Sequence, residues 1–122
     1  MKTQQQVFIV DDDESVCRSL NLFLSTYGFS VKTFTRAEEF FLAVPNNVSG
    51  CLILDIHMPG MDGWKALKLL EESGSRRPVI IITVDKNGWL NDKVLKAGVV
   101  GFLQKPFSGQ KLIDLINDTF SD

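Results

Sequence analysis

Three carboxylates, a hydroxyl and an ammonium stand at the ends of four short strand-like runs. Asp11 and Asp12 follow Val7–Val10, Asp55 follows Cys51–Leu54, Thr83 follows Val79–Ile82, and Lys105 follows Gly101–Gln104. If these runs are parallel strands of one sheet, their carboxyl ends share an edge, and ligands bind at that edge. The set has a definite chemistry. Three crowded carboxylates repel one another, and some keep their protons near neutrality unless a cation relieves them. A hard divalent ion such as Mg2+ takes carboxylates, waters and a phosphate oxygen together. Lys105 adds a fixed positive charge and Thr83 a small neutral donor. That combination suits a phosphoryl group arriving on a carboxylate, and carboxylates do serve as phosphoryl acceptors. Asp55 is the best acceptor because it ends the run expected to lie most centrally. Catalysis would then be positioning and charge neutralisation. Each residue alone would be an ordinary loop polar group; their joint placement carries the information.

The elements that must position these residues alternate strand and helix five times. The first strand is Val7–Val10, after a polar stretch, Met1–Gln6, expected to fray. A helix follows Asp13, with Val16, Leu20, Phe23, Leu24 and Tyr27 on one stripe and Gly28 as its stop. Ser30–Phe34 alternates polar and apolar residues, the pattern of an edge strand. Thr35-Arg36-Ala37-Glu38 reads as a capping box for a second helix, with Ala37, Phe41 and Val44 continuing one face and Pro45 as its end. Cys51–Leu54 and Val79–Ile82 are wholly apolar and should be central. Between them lie a tight Pro- and Gly-containing loop, Met58–Gly63, and a helix carrying Trp64, Leu67 and Leu70. Val84–Gly98 reads as the weakest helix, because Asn87-Gly88 is a poor opener. A short strand begins at Gly101, and Ser108 caps a last helix with Leu112, Leu115, Ile116 and Phe120 on its apolar face. Strict alternation predicts an α/β fold: a doubly wound, parallel, five-stranded sheet of the flavodoxin-like kind. The order 2-1-3-4-5 puts the two least apolar strands at the edges.

The chain has 122 residues, 44% hydrophobic and 23% charged, which fits one domain with an ordered core over about residues 6–120. A net charge of −2 without a basic block argues against direct nucleic-acid binding by this chain. The apolar runs are too short to span a bilayer and no signal peptide is visible, so a cytoplasmic, non-membrane protein is expected. Cys17 and Cys51 are expected to be reduced and buried. With His57 as the single histidine and no Cys-x-x-Cys, a zinc site is not indicated.

Val10-Asp11-Asp12-Asp13, Leu54-Asp55-Ile56-His57-Met58-Pro59-Gly60-Met61-Asp62-Gly63, Thr83 and Phe102-Leu103-Gln104-Lys105-Pro106-Phe107 together resemble the receiver domain of two-component response regulators. The likeness runs from about Val7 to Phe120. It is greatest to receivers of the nitrogen-fixation-regulator type, which carry a LuxR-like DNA-binding domain. The resemblance implies that Asp55 is the phosphorylated residue and that Mg2+ is held by Asp12 directly, by Asp11 through water, and by Asp55 and the backbone carbonyl of His57. It implies that Thr83 is the switch hydroxyl, that Phe102 turns inward when Thr83 moves, and that Lys105 contacts the phosphoryl group. It further implies a cis Lys105–Pro106 bond, a sensor histidine kinase as donor, and transcriptional output through a DNA-binding domain outside these residues. A stand-alone receiver working through protein contacts is the alternative. Dimerisation on phosphorylation is expected through the face made by the 84–98 segment, the fifth strand and the last helix, with Ile113 adding apolar surface.

The chain departs from the family pattern at Val84, where relatives usually carry Ala or Gly. Either its extra methyl groups narrow the path to Asp55, or the side chain points aside into packing. Asp85 either repels anionic donors or is a solvated loop charge, and the ring of His57 is expected to be exposed and idle. An Mg2+-dependent phosphatase using Asp55 as nucleophile is a rival. It would need an acid two residues on, where this chain has His57. A non-enzymatic signalling module is therefore the expectation. A degenerate receiver, acting only as a binding surface, is disfavoured by the presence of all five key side chains.

Overall fold

A computed structural model describes residues 5–84 and 98–120. The two all-apolar runs form the centre of the sheet, as β3 (Cys51–Asp55) and β4 (Val79–Thr83), and every residue of both is buried. Flanking them are β1 (Gln6–Val10), β2 (Ser30–Phe34) and β5 (Val99–Gln104). All pairs are parallel, in the order β2-β1-β3-β4-β5. The edge strands are the least buried, as their mixed composition dictates.

Alternate residues of each strand face opposite sides, so the sheet supports two half-cores. Phe8, Val10, Leu52, Leu54 and Ile81 pack under α2 (Ala37–Ala43) and α3 (Gly63–Glu72). Val7, Ile9, Ile53, Ile80 and Ile82 pack under α1 (Glu14–Thr26) and α4 (Gly109–Phe120). Each fully buried Val, Ile, Leu or Phe side chain contributes about 1.5–3 kcal/mol relative to exposure. Asp13 caps α1, accepting from Ser15 N and Val16 N, and Gly28 follows the helix at φ +88°. Ser108 Oγ accepts from Lys111 N at 3.2 Å at the start of α4.

Several expectations need correction. Gln6 does not fray: it opens β1, and its amide donates to Ser30 O at 2.9 Å. Tyr27 falls past the last turn of α1 and stays half exposed against the Phe23 ring, with centroids 5.1 Å apart. Thr35 caps nothing, because α2 begins one residue later than the capping box requires and Arg36 takes the N-cap position. Its hydroxyl lies 3.4 Å from Glu39 Oε1 instead. β5 begins at Val99, two residues early, because a bulge between the pairs Val79–Val99 and Ile80–Gly101 absorbs Val100. Ile113 is buried, since α4 turns Leu112, Ile113 and Ile116 toward the sheet. It therefore adds nothing to an outer dimerisation surface. The helix read over 84–98, another part of that expected surface, lies largely outside the described residues, as does Asp85.

Candidate functional site

The strand ends hold the site because the sheet's hydrogen bonding continues one residue past each of them. Asp11 N donates to Phe34 O (3.0 Å), Ile56 N to Ile82 O (3.2 Å) and Lys105 N to Thr83 O (2.8 Å). These bonds bring Asp11, Asp12 and Asp55 to one edge, where a carboxylate oxygen from each lies within 4.8 Å of the others. Asp11 is fully buried and Asp55 nearly so, while Asp12 is exposed. Lys105 enters from the loop after β5, with its preceding strand beside β4. Its Nζ lies 2.8 Å from Asp11 Oδ2 and 3.4 Å from Asp55 Oδ2. The Lys105–Pro106 peptide is cis.

The other carboxylate oxygens of Asp11 and Asp55 are also engaged. Asp11 Oδ1 accepts from Asp13 N at 2.9 Å, and Asp55 Oδ1 from His57 N at 3.2 Å. Burial, and then the charge of Asp11, push the Asp55 carboxyl up to about 6, against the opposing pull of Lys105. For Lys105, burial disfavours the charge, but the hydrogen bond and charge of Asp11 and the charge of Asp55 outweigh it and hold the ammonium above its ordinary value. The site thus carries an excess of negative charge that one ammonium only partly compensates. Three carboxylates, one of them open to solvent, fit a small hard cation that keeps several waters.

Thr83 is buried at the end of β4, one residue past Ile82, the register partner of Asp55. Phe102 lies in β5 opposite Ile81, half buried against the α2 and α3 side. His57 is exposed and borders a groove of about 440 Å³ with Met58, Asp62 and Trp64. Both cysteines are free and buried. Burial pushes the Cys17 thiol up to about 11 and that of Cys51 to about 12, so neither is a reactive thiolate at neutral pH.

Two residues that matter to this arrangement are not apparent from local pattern. Gly63 touches the site loop so closely that a Cβ there would come 2.6 Å from Ile56 Cα and 2.8 Å from Asp55 O. Its N–H donates to Ile56 O at 2.9 Å, which seats the start of α3 against the end of β3. Its place in a Pro- and Gly-containing loop signalled a turn but not this contact. Arg77 is buried at the opposite edge of the sheet, donating to Gly50 O (3.0 Å) and Pro45 O (3.1 Å). Its guanidinium carbon lies 5.1 Å from the Phe8 ring centroid and 5.6 Å from that of Phe40. In sequence it is indistinguishable from its exposed neighbour Arg76.

The response regulator receiver domain matches residues 7–117. The chain belongs to that family. FixJ of Bradyrhizobium diazoefficiens, a transcriptional regulatory protein, is 36% identical over 116 residues, covering 95% of this chain and 57% of FixJ. The structure of the response regulator StyR superposes with a TM-score of 0.89 at 37% identity, covering 95% of this chain and 59% of StyR. FixJ-N superposes with a TM-score of 0.83 at 35% identity, covering 95% of this receiver and 93% of that chain. The chain spans about half the length of the curated relatives it matches. The matches to FixJ accord with the likeness to nitrogen-fixation-type receivers.

Proposed function

We propose that this receiver takes a phosphoryl group from a sensor histidine kinase onto Asp55 and passes the resulting change of state to an output. The observation that carries the reading is the position of Lys105 Nζ, 2.8 Å from Asp11 and 3.4 Å from Asp55, within a cluster of three carboxylates. A fixed ammonium touching both the candidate acceptor and its acidic neighbour has a use when phosphoryl oxygens arrive there. Asp11, Asp12, Asp55 and the backbone carbonyl of His57 would hold Mg2+, which would supply neutralisation of phosphoryl charge. An Asp55 carboxylate oxygen attacks phosphorus, and the bond to the donor nitrogen breaks with its electron pair going to that nitrogen. Lys105 and Thr83 then hold phosphoryl oxygens, and Phe102 follows Thr83. Only contacts that differ between the two states can shift their populations. The domain, taken as residues 1–122, is a cytoplasmic signalling module rather than a turnover enzyme. It does not itself contact nucleic acid or membrane. Its output is transcription through a DNA-binding domain, with homodimerisation as a step toward it.

The test is mass spectrometry after incubation with a small phosphodonor and Mg2+, comparing wild type with Asp55→Asn. The expected result is one added phosphoryl group on the wild type and none on the variant. Equal modification of both would overturn the assignment of Asp55.

A further inference from the structure

The loop between β3 and α3 is tied at its two ends and open in its middle. At one end His57 N donates to Asp55 Oδ1 at 3.2 Å. At the other, Gly63 N donates to Ile56 O at 2.9 Å, and Lys65 N to Asp62 Oδ1 at 2.9 Å. Between these ties, no hydrogen bond among the described residues falls on the backbone of Met58, Pro59, Gly60 or Met61. The apex is Gly60, at φ +74°. What stands against it comes from another element. A Cβ built on Gly60 would lie 3.3 Å from Arg36 Nη2 and 3.3 Å from Glu38 Oε2.

The expected capping box would have turned the Glu38 carboxylate back to the Thr35 N–H. Instead Oε2 faces Gly60 and lies 3.7 Å from Arg36 Nη2, while Oε1 is buried without a hydrogen-bond partner among the described residues. A buried, unbonded oxygen costs stability, and such a group in a native fold calls for a reason. The ion pair does not supply it, since both partners are substantially exposed and exposed pairs contribute little. The side chain serves the neighbouring loop rather than its own helix. We infer that Glu38, steadied by Arg36, is a positioning residue: it braces the apex of the β3–α3 loop and so keeps the His57 carbonyl in place for the cation. The inference rests on the function proposed above, which gives that carbonyl to Mg2+. Mg2+ demands near-ideal octahedral placement of its ligands. A backbone ligand has no rotamer to adjust, so only the path of its loop can place it, and Gly60 is three residues from His57 on that path.

The test compares wild type, Glu38→Ala, Glu38→Gln and Glu39→Ala. Glu39 carries the same charge in the first turn of α2 but is not among the atoms that face Gly60, so it controls for the loss of charge alone. MgCl2 is titrated into isotope-labelled protein, and the amide shifts of residues 55–63 in two-dimensional NMR give the Kd. Urea unfolding without divalent ions gives the stability. Glu38→Ala is expected to bind Mg2+ about 10-fold more weakly than Glu39→Ala, the low end of what loss of a group behind a metal ligand costs. Its urea midpoint should be no lower than that of Glu39→Ala, because the buried oxygen has no bond to lose. Glu38→Gln keeps the length and an oxygen against Gly60 and should stay within about twofold of wild type. Equal Mg2+ affinity in Glu38→Ala and Glu39→Ala would overturn the inference, since charge alone would then account for the change. So would a urea midpoint for Glu38→Ala below that of Glu39→Ala, which would make Glu38 a prop of the fold. A wild type that binds no Mg2+ would instead overturn the cation site of the proposed function, so the two failures are distinct.

Discussion

Lys105 is the one cation in contact with both Asp11 and Asp55 among the described residues, so its removal tests how far the acidic pair depends on it. Removing one partner of a buried ion pair costs about 3–5 kcal/mol, because the other charge is left unpaired. Lys105→Met is expected to lose stability on that scale in urea titrations without divalent ions, and millimolar Mg2+ should restore a large part of it. A loss indifferent to Mg2+ would argue against Asp11 as part of the cation site. Asp55 gives the opposite effect. Its folded value near 6 lies above the ordinary 3.8, so its contribution is fully present below about pH 4 and is lost as pH rises through 6. Asp55→Asn should therefore stabilise the metal-free protein at pH 7 by about 2–3 kcal/mol, with the advantage vanishing near pH 4. The same variant should abolish stabilisation by Mg2+, as thermal denaturation at both pH values can show. The convergence of Asp11, Asp55 and Lys105 was legible in sequence because each terminates a strand-like run, and a parallel sheet gathers such ends. The exposure of Val84 was not legible, because a valine after a strand fits a core or a groove equally well.

Among the elements, agreement between sequence and structure follows the strength of the local signal. β3 and β4 are recognisable from unbroken apolar runs, and their central place follows. The start of α2 is not recognisable in the same way, since Thr35 offers a capping hydroxyl but the helix begins one residue later, with Arg36 at the N-cap and no side-chain cap bond. The bulge at Val100 is likewise invisible locally, being a property of the pairing between β4 and β5. This yields a contrast between two hydroxyls. Ser108→Ala removes a helix cap and should cost about 1 kcal/mol. Thr35→Ala removes no cap and should stay within about 0.5 kcal/mol of wild type. Equal losses in chemical denaturation would mean that Thr35 supports α2 in another way.

Across the whole molecule, the sheet divides the labour between its two edges. The carboxyl ends carry the ionisable cluster, while the opposite edge is held by Arg77, which ties the α2–β3 loop to the approach of β4. Arg77→Leu strips two carbonyls of a donor and two rings of a cation, and is expected to cost about 2–4 kcal/mol while leaving phosphoryl uptake intact. Loss of uptake in a protein that remains folded would show that the two edges are coupled. The bonds continuing past the strand ends have a kinetic counterpart. The amides of Asp11, Ile56 and Lys105 belong to the ladder that pins the site, so their protons should exchange with deuterium about as slowly as those of the innermost strands. For the phosphorylation proposed above, an Asp55 beside amides that open only with the whole sheet would be a fixed reference point. On that proposal any rearrangement is expected to move around it, with the slowest-exchanging protons protected before and after phosphorylation.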